Sequence, residues 1–174
     1  MQAPFHILLG YRSGHALAAL ACGLGLLFAL YLEHFQGLEP CPMCVFQRLA
    51  MFAAGLIFLL AALQGPGPIG RGVYAALGAL ASGAGAFIAG RHVWLQSLPE
   101  DQVPACGPTL DYLLDFLPVQ EVVRLVLSGD GSCARIDAAW LGISLPGWTL
   151  ISFIGLGLYV LLLWLRARSA PVRS

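Results

Sequence analysis

The stretch EPCPMCVFQR, residues 39–48, sets Cys41 and Cys44 two residues apart at the start of a long apolar run, with Arg48 four residues after the second cysteine. A bond between thiols so close in the chain removes little loop entropy. Such a pair is therefore more often redox-active or a metal clamp than a staple. Pro42 suits the first turn of a helix, where its missing N–H is no loss. The partial positive charge at a helix amino terminus favours thiolate nearby. Cys44 and Arg48 share a helix face at this spacing, and a guanidinium stays charged at any working pH. Two readings of Arg48 stand side by side. It reaches the lipid headgroups, or it faces the helix bundle and stabilises a thiolate and any anionic oxygen beside it.

Two further cysteines, Cys106 and Cys133, flank an acidic stretch, and Cys22 stands alone inside an apolar run. Cys106 and Cys133 read either as a loop-closing staple or as a second exchanging pair. A four-cysteine zinc site usually repeats the short spacing in both halves, which this chain does not, so no metal site is expected and zinc is the minor alternative. Motifs for phosphate cradling, HExxH metalloproteases and GxSxG hydrolases do not occur. Cys22 reads as a plain buried thiol.

The elements that must position these groups are set by the solvent. Over 174 residues, 59% are hydrophobic and 10% charged, with mean hydropathy +0.80. That is too little polar surface for an ordinary soluble domain. Crossing the hydrocarbon takes about 20 apolar residues. Four runs qualify, at about 16–32, 45–63, 72–90 and 145–165. The expected fold is an all-α, four-transmembrane-helix bundle forming a single membrane domain over residues 1–174, with outer loops 33–44 and 93–144. The first run is expected to remain as an uncleaved signal anchor.

Charge gives the orientation. Arg12, Arg71, Arg166, Arg168 and Arg173 lie in the two tails and the connection between the second and third runs, where there is no acid. By the positive-inside rule these segments, and both termini, face the cytoplasm. Glu33, Glu39, Glu100, Asp101, Asp111, Asp115, Glu121, Asp130 and Asp137 all fall on the other side, with the four paired-off cysteines. That is the compartment in which disulfides persist. No face is basic enough for nucleic acid.

Together these features resemble the DsbB family of bacterial inner-membrane disulfide-forming oxidoreductases. Four spans, CPMC at the top of the second, Arg48 after it, a cysteine pair in the second outer loop, and SGDGSCA around Cys133 carry the resemblance over nearly the whole chain. It implies that a periplasmic thiol oxidase, DsbA, attacks a Cys106–Cys133 disulfide at Cys106. Cys133 then exchanges with Cys41, and the Cys44 thiolate passes electrons to a membrane quinone, ubiquinone or menaquinone, with Arg48 stabilising the anion. By the same resemblance His92 lies near the quinone, framed by the tops of spans two and three; on its own chemistry it reads equally as an interfacial histidine beside the anchors Arg91 and Trp94. Gln47 departs from relatives with an acid at that place. Vitamin K epoxide reductase-like proteins share this chemistry but carry their CxxC late in the chain, whereas here it comes early. The remaining alternative is a non-enzymatic membrane module with structural disulfides or a cysteine-bound metal.

Other patterns concern packing. Gly78, Ser82, Gly85 and Ala89 form a small-residue face at helical spacing, which lets a neighbouring helix approach closely. Residues 110–127 are amphipathic and divided at Pro118, which predicts a short helical segment on the membrane surface, the bundle-covering alternative being open. Trp140, Trp148 and Trp164 are expected at the interfaces flanking the fourth span.

Overall fold

A computed structural model describes residues 10–136 and 138–169; Asp137 and Arg173 lie outside them. Four long helices form the body: α1 (Tyr11–Gln36), α2 (Pro42–Gln64), α3 (Pro68–Gln96) and α7 (Leu145–Ser169). Each is long and apolar enough to cross a membrane, and each contains one of the apolar runs. Between α3 and α7 come a 3₁₀ turn (Glu100–Gln102), α4 (Leu110–Phe116), α5 (Val119–Ser128), the single turn α6 (Gly131–Ala134), and the paired strands β1 (Ala139–Trp140) and β2 (Ile143–Ser144).

Local chemistry sets the ends. Gly37 and Gly65 close α1 and α2 in the left-handed conformation, at φ 65° and 53°, which costs glycine nothing. Pro42 and Pro68 open α2 and α3. The tight Gly65-Pro66-Gly67 connection makes α2 and α3 antiparallel neighbours. Leu141 and Gly142 both have positive φ and turn β1 into β2, a small hairpin absent from the sequence reading.

The main packings are α3 on α7, α1 on α2 and α2 on α3. Ala18, Cys22, Met51, Ala54, Phe58, Ala75, Ala89, Phe153 and Val160 form the bundle core, while Leu20, Leu24, Leu27, Leu80, Phe87 and Leu158 face outward. An apolar outer surface of this kind suits lipid. Cys22 is buried against Gly55, as a packing thiol would be. Arg12 and Arg71 lie at the end of the bundle opposite Cys41 and Cys44, with Arg166 and Arg168 in the last turn of α7. Arg12 donates to the Ala62 carbonyl at 2.9 Å, and Arg168 lies 4.6 Å over the Trp164 ring.

The small-residue face of α3 is buried at all four positions. A Cβ on Gly85 would lie 2.2 Å from Phe153 Cε1, and one on Gly78 would lie 2.6 Å from Phe58 Cε1. Phe153 is fully buried, so its ring has nowhere to swing. Gly85→Ala is therefore expected to destabilise the bundle by roughly 1–3 kcal/mol through overpacking. Gly83→Ala, where a Cβ meets nothing within 4 Å, serves as the control. Thermal unfolding in detergent compares the two, and equal midpoints would refute the packing reading.

The amphipathic stretch divides at Pro118, as its pattern predicts, into α4 and α5. Part of its apolar side packs on the protein, while Leu114 and Leu125 are exposed. Leu113, Val122 and Val126 bury against Met43, Leu95 and Cys133, so this face covers the cysteine end of the bundle. Tyr112, Phe116 and Val119 remain exposed.

Candidate functional site

The site grows from the first turn of α2. Cys41 is its N-cap, with an extended backbone, and the Cys41 sulfur accepts the Cys44 N–H at 3.3 Å. The two sulfurs are 2.9 Å apart. All five cysteines are free thiols.

Cys133 reaches this turn from far along the chain. Asp130 caps α6 with its carboxylate, accepting from the N–H of Ser132 at 2.9 Å and of Cys133 at 3.3 Å. Gly131 packs so tightly that a Cβ there would lie 2.8 Å from the Pro104 carbonyl oxygen and 3.0 Å from Cys106 Sγ. The turn thus holds Cys133 buried while Cys106, beside Gly131, stays exposed. The sulfurs of Cys41 and Cys133 and a ring nitrogen of His92 all lie within 4.8 Å of one another.

Charge divides unequally between the two meeting sulfurs. A hydrogen bond from the Cys41 thiol holds Cys133 down to about 7 against the opposing effect of burial, with help from hydrogen bonds involving the backbones of Asp130 and Met43. Cys41 is pushed up by its bonds to Cys133 and Cys44 and by burial. Cys133 is therefore the readily ionised thiol of the pair and Cys41 the protonated one.

Removing the donor has a calculable consequence. If Cys133 returns to about 8.5, its thiolate fraction at pH 7 falls about 15-fold, and the greater nucleophilicity of a more basic thiolate restores about fivefold. In the reduced protein, Cys41→Ala is expected to slow alkylation of Cys133 about threefold at pH 7, and to move the midpoint of its pH–rate curve upward. Mass spectrometry of the Cys133 peptide reads both. An unmoved midpoint would contradict this account.

His92, in the last turns of α3, is 2% exposed. Its Nε2 lies 3.8 Å from Cys41 Sγ, and Cys44 is also within its hydrogen-bonding reach. Its Nδ1 is 2.9 Å from Gln47 Nε2. Gln47 is itself buried.

Arg48 turns toward α1. It is ion-paired to Glu33 and donates to the Ala29 carbonyl at 3.2 Å. It thus faces the helix bundle, where its charge meets a protein carboxylate. Glu33, assigned to the outer loop from its charge, belongs to the last turns of α1.

A cavity of about 260 Å³ joins these groups. Cys41, Cys44, Gln47, Arg48 and His92 line one part, and Leu26, Phe28, Met51 and Trp148 supply apolar wall. All four long helices contribute, where the sequence suggested two. The space and its mixed lining fit a substituted quinone ring: apolar walls for the ring, and Arg48 as a donor for an oxygen with His92 beside it. Gln96 braces the roof, accepting from Ser144 Oγ at 2.7 Å and donating to the Arg135 carbonyl at 3.2 Å. Glu33, Gln47 and Gln96 were not singled out as functional from the sequence. The only available signal was that each is a polar residue at the edge of an apolar run.

Comparison with known proteins agrees over most of the chain. The family model for disulfide bond formation protein DsbB matches residues 11–163. A disulfide bond formation protein B of Marinobacter nauticus is 52% identical over 149 residues, covering 84% of this chain and 89% of that protein. One from Acinetobacter baumannii is 51% identical over 166 residues, covering 94% and 95%. One from Saccharophagus degradans is 47% identical over 146 residues, covering 84% and 88%.

Proposed function

Because this chain belongs to the DsbB family of disulfide bond formation proteins, we propose that it reoxidises a periplasmic DsbA-like thiol oxidase and passes the electrons through two cysteine pairs to a membrane quinone. The observation that carries the reading is the meeting of Cys133 with Cys41, their sulfurs within 4.8 Å, beside a cavity that Cys44 and Arg48 also line.

Each step is a thiolate attacking a disulfide sulfur. A thiolate of the reduced partner bonds to Cys106, breaking the Cys106–Cys133 disulfide and releasing Cys133 as thiolate. Exposure suits Cys106 to that encounter. The partner's second thiol displaces Cys106 and leaves the partner oxidised. Cys133, whose sulfur lies within 4.8 Å of that of Cys41, attacks Cys41, forming Cys41–Cys133 and breaking Cys41–Cys44. The electron pair comes to rest on Cys44. Cys106 next attacks the Cys133 sulfur, expelling Cys41 as thiolate and restoring the loop disulfide, which leaves the pair Cys41 and Cys44 reduced. The cavity would hold a membrane quinone, whose chemistry would supply the sink for the two electrons and two protons released as Cys41 and Cys44 re-form their bond. Arg48 would hold one of the quinone oxygens with His92 beside the ring, and the apolar wall would exclude water.

The test mixes purified protein with a reduced DsbA-like dithiol protein and a soluble quinone, following thiol loss and quinone reduction together. Equal stoichiometry is expected, and the loss of both in folded protein would remove the reading. The proposed setting is the bacterial inner membrane, with both termini cytoplasmic and the active cysteines periplasmic. Labelling of Cys106 in intact spheroplasts by a membrane-impermeant maleimide checks it.

The cluster of Cys41, His92 and Cys133 also keeps a second reading in play, a membrane module with a cysteine-bound metal. Stoichiometric zinc in the reduced protein, with function indifferent to Cys44→Ala, would favour that reading.

A further inference from the structure

We propose that Gln47 is a positioning residue that fixes the tautomer of His92, so that an N–H faces the sulfurs of α2. Gln47 and His92 stand on different helices, and both are almost wholly buried, at 5% and 2% exposure. Away from water, each polar atom must find its partner within the protein. Gln47 turns its amide nitrogen, not its oxygen, to His92 Nδ1 at 2.9 Å. An amide nitrogen can only donate, so Nδ1 must be the unprotonated nitrogen of a neutral ring. The proton is then on Nε2.

Nε2 is the atom facing the thiols, 3.8 Å from Cys41 Sγ with Cys44 also in reach. Sulfur that becomes anionic needs a donor there, and a ring with a lone pair on Nε2 would repel it. The same orientation disfavours a soft cation at this place, because a metal would need that lone pair. The hydrogen bond of Gln47 goes to the ring, and it acts through the ring.

A buried amide between α2 and α3 also serves as interhelical glue, so stability alone cannot test the idea. The purpose assigned to the N–H rests on the thiol relay proposed above, but the tautomer does not, and it is measured without quinone or partner. Nitrogen-15 spectra of histidine-labelled, reduced, quinone-free protein distinguish the two ring nitrogens, with His92 assigned by the signal lost in His92→Asn. The wild-type ring is expected to carry its proton on Nε2. Gln47→Glu supplies an acceptor and is expected to put a proton on Nδ1. Gln47→Leu removes the donor and is expected to slow alkylation of Cys44 by about three- to tenfold, as one hydrogen bond to sulfur is lost or diluted.

A wild-type ring protonated on Nδ1 would overturn the proposal, whatever the variants do. So would an unchanged tautomer in folded Gln47→Glu together with an unchanged Cys44 rate in Gln47→Leu. If the tautomer is as expected while quinone-coupled thiol oxidation is absent, the relay falls and the role of Gln47 toward the ring stands.

Discussion

Cys44→Ala is expected to reduce steady-state oxidation of a DsbA-like partner by on the order of 10³ or more, while leaving one round of exchange per molecule intact. The split follows from where the sulfurs lie. Cys106 is exposed, and Cys133 is buried against Cys41, so the loop disulfide can still oxidise one partner when the helix pair is broken. Cys41 without Cys44 is a lone thiol, so no second disulfide remains to take the electrons from Cys106 and Cys133. The electrons then have no exit. A stopped-flow trace should show a burst of one disulfide equivalent followed by a flat line. Wild-type protein with quinone should also show the long-wavelength absorption of a thiolate against an electron-poor ring, and this should vanish in the variant. Undiminished turnover in Cys44→Ala would end the relay scheme.

Arg48→Met is expected to lower kcat/KM for quinone roughly 100-fold, about the effect of losing one donor to a developing oxyanion. Two consequences of the substitution act in the same direction. It removes the fixed positive charge from a cavity that also holds Cys44, and it strands the Glu33 carboxylate that pairs with Arg48. An unpaired anion at the edge of a site that must handle electron-rich sulfur and oxygen is unfavourable. Glu33→Gln in the Arg48→Met background should therefore recover part of the loss. Arg48→Lys should recover part as well, because an ammonium keeps the charge but lacks the fork that reaches both Glu33 and the Ala29 carbonyl. The single-turnover burst with partner should be unaffected, since the loop pair makes it. Quinone titration of steady-state rates measures the effect, and an unchanged kcat/KM would rule out a role for Arg48 at the ring.

The sequence by itself determined the solvent, the number of long helices, and the local chemistry at the mouth of α2. Composition and run length dictate four apolar helices because the bilayer interior tolerates no unpaired backbone. Pro42 and the CxxC spacing dictate that thiols cap a helix, because capping is a property of neighbouring residues. The face of Gly78, Ser82, Gly85 and Ala89 was legible for the same reason, since a period near 3.6 is written along one segment.

Only the tertiary structure decided which neighbours those faces meet. Periodicity names the apolar side of residues 110–127 but cannot say that Leu113, Val122 and Val126 close over Met43 and Cys133. The ion pair of Arg48 with Glu33, and the bond between Gln47 and His92, depend on how α1, α2 and α3 are rotated about their axes. That rotation is set by the sum of many contacts, among them Gly85 against Phe153, and no local pattern records it. The approach of Cys133 to Cys41 likewise depends on a long connection folding back, with Asp130 capping α6 and Gly131 admitting the chain around Cys106. Residue types and spacings along one helix are local quantities, whereas a site shared by four helices and a returning loop exists only once they pack.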